Sequence, residues 1–152
     1  MPVLSKSLKI TLAAAVVLAA GAATVVAQDA IAERKAAMKS VGGAFGPVVR
    51  MVRGQADFDA AVVLASFTTM NEVAMRYGEL FPEGSETGGE TKASPAIWED
   101  RAGFDAEVSR FQEVTAAAVA AAPADLDATR AVFGPVGQSC GSCHEKFQLS
   151  DN

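Results

Sequence analysis

Five consecutive residues near the C-terminal end of the sequence, Cys140-Gly141-Ser142-Cys143-His144, contain both cysteines of the chain and its only histidine. Thiolate sulfur and imidazole nitrogen are the side-chain donors that soft and borderline metals prefer. On a helix, residues three and four apart share a face. The two sulfurs therefore project together, and His144, four residues after Cys140, turns the same way. C-x-x-C-H is the attachment signature of c-type haem. Its geometry suits two thioethers along one side of a porphyrin, with the imidazole reaching the iron. Gly141 and Ser142 leave room for the flat ring.

Three other chemistries are open to such a cluster. A structural zinc site takes four Cys or His ligands, and the chain has three such residues in all. A redox-active dithiol sits at the start of a helix in a βαβ setting; here the motif closes a chain with helical patterning throughout. A plain disulfide accounts for the cysteines and leaves His144 without a role. One covalent haem c, with Cys140 and Cys143 as thioethers and His144 as axial ligand, accounts for all three.

The elements that must position this motif are helices. Four segments show apolar residues at steps of three and four. The first, from about Asp29 to Arg53, has Ile31, Met38, Val41, Phe45, Val48 and Val52 on its stripe. Gly42, Gly43 and Pro47 predict a bend in it, and Gly54 ends it. The second starts near Asp57 as N-cap and carries Val63, Phe67, Met70, Ala74 and Tyr77. A polar, glycine-rich loop from Glu83 to Lys92 follows and reads as a solvated connection. Ser94-Pro95 opens the third helix, with Ile97, Arg101, Phe104, Val108, Phe111, Thr115 and Ala118 on one face. The fourth starts at Asp125 and carries Leu126, Phe133, Val136, Cys140, Cys143 and Phe147, with a kink or short break expected at Gly134-Pro135. The pattern is all-α, an antiparallel four-helix bundle with haem c in its core.

The 152 residues suffice for one domain. Residues 1–27 read as a Sec-type signal peptide, cleaved after Ala27: Lys6 and Lys9 form the basic region, and Ile10 to Ala20 an apolar run too short for a comfortable span. The bundle is then residues 28–152. The leader holds two lysines and no acid, so 13 basic residues become 11 against 18 acidic ones and the net charge moves from −5 to −7. An acidic surface argues against nucleic acid and anionic membranes as partners. It suits basic redox partners in the periplasm, and self-association into a homodimer stays open. No membrane contact is expected after cleavage.

The sequence resembles the class II c-type cytochromes, the family of the cytochromes c′. The haem motif lies near the C-terminus, and Arg34-Lys-Ala-Ala-Met38-Lys, Gly54-Gln-Ala-Asp-Phe-Asp-Ala-Ala, Leu80-Phe81-Pro82 and Lys92-Ala-Ser-Pro-Ala-Ile-Trp98-Glu-Asp look like its landmarks. The resemblance covers nearly the whole mature chain. It implies that Arg34 stands near the haem propionates, with Lys35 and Thr91 as further pocket residues. It places Met38 at the distal haem face, where some members use a methionine as sixth ligand and five-coordinate members only cover the iron. Residues alone allow a second reading, in which Met38 is core packing; the same holds for Phe81 and Trp98, which are candidates for the haem edge. Two positions depart from the family pattern. Gly141 and Gln148 stand where many cytochromes c′ have basic residues, and the missing basic group at Gln148, beside the ligand histidine in the family, weighs against a gas response of their kind.

The expected function is one-electron transfer in the periplasm by a non-enzymatic monohaem protein. The alternative is a five-coordinate cytochrome c′ that binds nitric oxide or carbon monoxide. A haem enzyme such as a peroxidase would need distal acid–base groups, and the chain has no second histidine.

Overall fold

A computed structural model describes residues 6–150, with side chains from residue 28 onward. The expected leader lies outside the described residues at 1–5 and is described as backbone only at 6–27. Among the described residues there are five α-helices: α1 (Lys6–Val52), α2 (Ala60–Tyr77), α3 (Ala96–Glu99), α4 (Arg101–Ala121) and α5 (Leu126–Phe147). A single 3-10 turn, Gly78–Leu80, extends α2. The four long helices form a ring of neighbours: α1 packs on α2, α2 on α4, α4 on α5, and α5 returns to α1. With short connections, this is the antiparallel bundle that the patterning predicts. No strand occurs among the described residues beyond one isolated antiparallel bridge, Ala93 with Gln148.

Each helix end has a local cause. Gly54 closes α1 at φ +70°, a conformation that costs glycine least. Its N–H bonds Met51 O at 2.9 Å, and Gln55 N–H bonds Arg50 O at 2.7 Å, the paired pattern of a Schellman cap. The N-cap of α2 is Asp59, two residues later than expected; its carboxylate accepts from Val62 N at 3.1 Å. Asp125 caps α5 as expected, accepting from Ala128 N at 2.8 Å.

The third segment differs from expectation in two ways. It splits at Asp100 into α3 and α4, because the Asp100 carboxylate turns back to accept Gly103 N at 3.0 Å and starts a new helix. Gly103 packs directly against that carboxylate, and a Cβ there would force the Asp100 side chain to shift. Arg101, expected on the inward face, is exposed. Its guanidinium caps carbonyls instead, donating to Phe81 O and Gly78 O at 3.0 Å each. The expected break at Gly134-Pro135 does not occur. Pro135 leaves only the Ala131 carbonyl without its helical donor, and α5 continues through it. Likewise α1 runs on through Pro47.

The core lies where the stripes meet. Val48, Val63, Phe67, Met70, Ala74, Ala118 and Val136 are fully buried. A row of aromatic rings joins three walls of the bundle. Tyr77 meets Phe81 edge-on at 5.1 Å, Phe81 meets Phe104 at 4.7 Å, and Phe104 meets Phe147 at 5.5 Å. Edge-to-face contacts at these distances add to simple burial. The row holds the end of α2, the start of α4 and the end of α5 in fixed relation beside the haem motif.

Candidate functional site

The C-x-x-C-H motif occupies the last two turns of α5, and its three side chains border one cavity of about 990 Å³. That volume is at the upper end for sites that take a cofactor. Cys140 and Cys143 are half-buried free thiols; His144 is exposed to the opening. Burial pushes the Cys140 thiol up in pKa. Burial, then the nearby charges of Glu107 and Cys140, push the Cys143 thiol up to about 11.

The other expected site residues reach the same cavity from elsewhere in the chain. Arg34, Lys35 and Met38 come from α1, and Thr91 from the loop before α3. Met38 is half-buried and is the one methionine on the wall among the described residues. Lys35 is exposed and reaches Glu90 at 3.9 Å. Phe81 lines the cavity, whereas Trp98 stands behind it, with its indole N–H donating to Pro82 O at 3.2 Å.

Arg34 is the most constrained of these. It is 3% exposed, and its guanidinium donates to Ser85 Oγ at 3.1 Å, Ser85 O at 2.8 Å and Thr91 Oγ1 at 3.0 Å. Its Cζ lies 5.1 Å from the Phe81 ring centroid and 5.7 Å from that of Trp98, within cation–π range. Burial lowers its pKa, against the charges of Tyr77 and Glu86, but arginine stays cationic. Its Nε is buried and has no partner. The loop that reads as a solvated connection is thus anchored at Ser85, which is fully buried. Ser85 and the phenol of Tyr77 are site residues the sequence does not announce. Burial, then the charge of Cys143, raise the Tyr77 pKa well above its ordinary value, so Tyr77 remains a neutral donor.

Glu107 is the third unexpected residue. It faces the cavity from α4 and is 7% exposed. Its carboxylate accepts from Ser142 Oγ at 2.7 Å and from Lys146 Nζ at 2.6 Å. These two bonds hold its pKa below the usual carboxylate range, against the effect of burial.

These walls fit a large, flat, anionic cofactor. The cavity carries a buried cationic side chain whose Nε–H has no partner, two thiols spaced for a ring edge, and an imidazole beside them. Gly42 and Gly137, both on the cavity wall, have no atom within 4 Å of where a Cβ would stand, so nothing of their own chain fills the space next to them. Fold and site together define a monohaem c-type cytochrome built on a four-helix bundle. The family described as Cytochrome C′ matches residues 29–148, and the chain belongs to it. It is 42% identical over 140 residues to a cytochrome c′ of Rhodopseudomonas palustris, covering 91% of this chain and 93% of that one. It is 36% identical over 132 residues to a cytochrome c-556 of Agrobacterium fabrum, covering 87% and 88%. A solved structure of cytochrome c′ from Rhodopseudomonas palustris superposes with a TM-score of 0.78 at 38% identity, over 82% of this chain and 98% of that one. The cofactor of the family is covalent haem c.

Proposed function

We propose that the protein is a periplasmic one-electron carrier whose haem iron has two protein ligands. The observation that carries this reading is that Met38 on α1 and His144 on α5 border the same cavity. A haem iron supplies a reversible ferric/ferrous couple, and a methionine ligand beside histidine raises its potential. In this reading Cys140 and Cys143 would hold the ring covalently as thioethers, and His144 and Met38 would be the two side chains that ligate its iron. Arg34, whose Nε–H has no protein partner, holds a propionate; Lys35 and Thr91 stand beside it.

A coordinatively filled iron passes electrons and does not activate substrates, so the protein is an electron carrier and not an enzyme. Paramagnetic resonance of the ferric protein tests this: a low-spin signal is expected, and a high-spin signal refutes Met38 ligation. In that case the five-coordinate, gas-binding reading takes over. The relatives include proteins named both cytochrome c′ and cytochrome c-556. The partners in the leading reading are periplasmic redox proteins that present a basic face to an acidic surface; a homodimer is a further assembly to test.

Export follows from the basic and apolar runs of residues 1–27. The first residue of the exported protein is expected to be Gln28. Sequencing it from its N-terminus decides the matter, and a start at Met1 refutes cleavage.

A further inference from the structure

Glu107 is a charged side chain on the buried face of α4, in the wall of the haem site, and electron transfer by itself gives it no task. Its carboxylate accepts from Ser142 and Lys146, which stand four residues apart on α5 and bracket Cys143 and His144. The two partners do not share its surroundings. The Glu107 side chain is 8% exposed and faces the cavity, whereas the Lys146 side chain is 59% exposed and is not part of the cavity wall. Water screens the ammonium far more than the carboxylate, because a charge in solvent acts through a much higher effective dielectric than one facing a protein cavity. The pair is neutral in total but polar toward the site, with its negative end inward.

We infer that Glu107 is a positioning and field-setting residue for the haem iron: it clamps the Cys143–His144 turn of α5 to α4, and it biases the iron toward the ferric state. The carboxylate acts through space and through the α5 backbone and does not ligate the metal. Its sign is fixed by elementary electrostatics. A negative charge next to the site stabilises the state with the additional positive charge, which is Fe(III), and lowers the reduction potential. Lys146 offsets that field from the solvent side, and Ser142 holds the carboxylate in place. The inference rests on the proposal that His144 and the two cysteines hold the haem. It holds whether the iron carries electrons or binds a gas.

The test is the midpoint potential of the holoprotein, measured by equilibrium redox titration at pH 7 for the wild type, E107Q and K146Q. Glutamine keeps the size of Glu107 and its ability to hydrogen-bond, and at Lys146 it removes the charge from a slightly longer, exposed side chain. E107Q is expected to shift the ferric/ferrous equilibrium at least threefold toward ferrous, about 28 mV upward for a one-electron couple. K146Q, which removes the cation bonded to the carboxylate and leaves Arg110 as the remaining positive charge near it, is expected to shift it in the opposite direction. A purely structural clamp would give both variants the same sign, or no shift. Unmoved potentials, or shifts of one sign, overturn the inference. If E107Q does not yield holoprotein, K146Q decides alone: a fall supports the inference, and no change or a rise overturns it. Failure of the electron-transfer proposal looks different, as a high-spin wild type with a titratable potential.

Discussion

Arg34 and Ser85 lie 51 residues apart in sequence and meet in the interior through two hydrogen bonds, guanidinium to hydroxyl at 3.1 Å and guanidinium to carbonyl at 2.8 Å. Through this contact α1 holds the loop that brings Thr91 to the cavity. Hydrogen bonds to a charged group contribute about 1.5–3 kcal/mol, and orphaning a buried partner adds its desolvation. Arg34→Ala is therefore expected to destabilise the holoprotein by about 3 kcal/mol, and Ser85→Ala by about 1–2 kcal/mol. Denaturant unfolding of both variants measures this. Equal losses close to zero would show that the loop is held by other contacts.

Replacement of Met38 by alanine separates the two readings of the iron. The wild type is expected to be low-spin, with a weak sulfur-to-iron band in the far red. Met38→Ala is expected to be high-spin, to lose that band, and to gain fast carbon monoxide binding. If the variant and wild-type spectra coincide, Met38 only covers the site.

The two thiols stand on one helix face at the cavity wall, and they are the only cysteines in the sequence. Acid–acetone extraction is expected to leave haem on the wild-type polypeptide and to release it from a Cys140→Ala, Cys143→Ala double variant. Free extraction from the wild type would contradict covalent attachment.

The Glu107–Lys146 contact predicts a stability profile with two edges. Glu107 has its pKa lowered in the folded protein, by Lys146 first and Ser142 second. Its contribution is complete above the ordinary glutamate value of 4.5 and is lost as the pH falls through the lower, folded value. Lys146 has its pKa raised by the same contact. Its contribution is complete below the ordinary 10.5 and is lost as the pH rises through the folded value. The stability gap between wild type and E107Q is therefore expected to be flat from about pH 5 to pH 10 and to narrow on either side. Thermal unfolding across that range checks it, and a gap that varies through neutral pH would point to another titrating group.

The haem motif was legible because its residue types are scarce and their spacing fixes a geometry. The four long helices were legible because Val63, Phe67, Met70 and Ala74, and their counterparts elsewhere, repeat at the helical period. Four features were not. Ser85 sits among glycines and acids, a composition shared with solvated loops; its burial comes from Arg34, which lies far away in sequence. Glu107 carries a charge, and charges on helices ordinarily face water; its two donors come from α5, 35 and 39 residues further on. The split at Asp100 and the cap at Asp59 turn on which of several aspartates folds back on the chain. That choice is made by packing of the flanking turns, which a pattern of residue types does not encode.

The antiparallel bridge between Ala93 and Gln148 has a consequence for how the bundle opens. Ser94 N–H bonds Phe147 O at 3.0 Å, Leu149 N–H bonds Lys92 O at 2.8 Å, and Gln148 N–H bonds His144 O at 3.1 Å. The end of a helix normally frays first and on its own. Here the turn that bears His144 cannot unwind beyond Phe147 without also detaching the loop at Lys92–Ser94. The amides of Ser94, Gln148 and Leu149 therefore form one cooperative unit and should exchange their hydrogens for deuterium at a common rate, slower than a free helix terminus allows. The turn that bears His144 is held against fraying by a splice between two distant stretches of backbone.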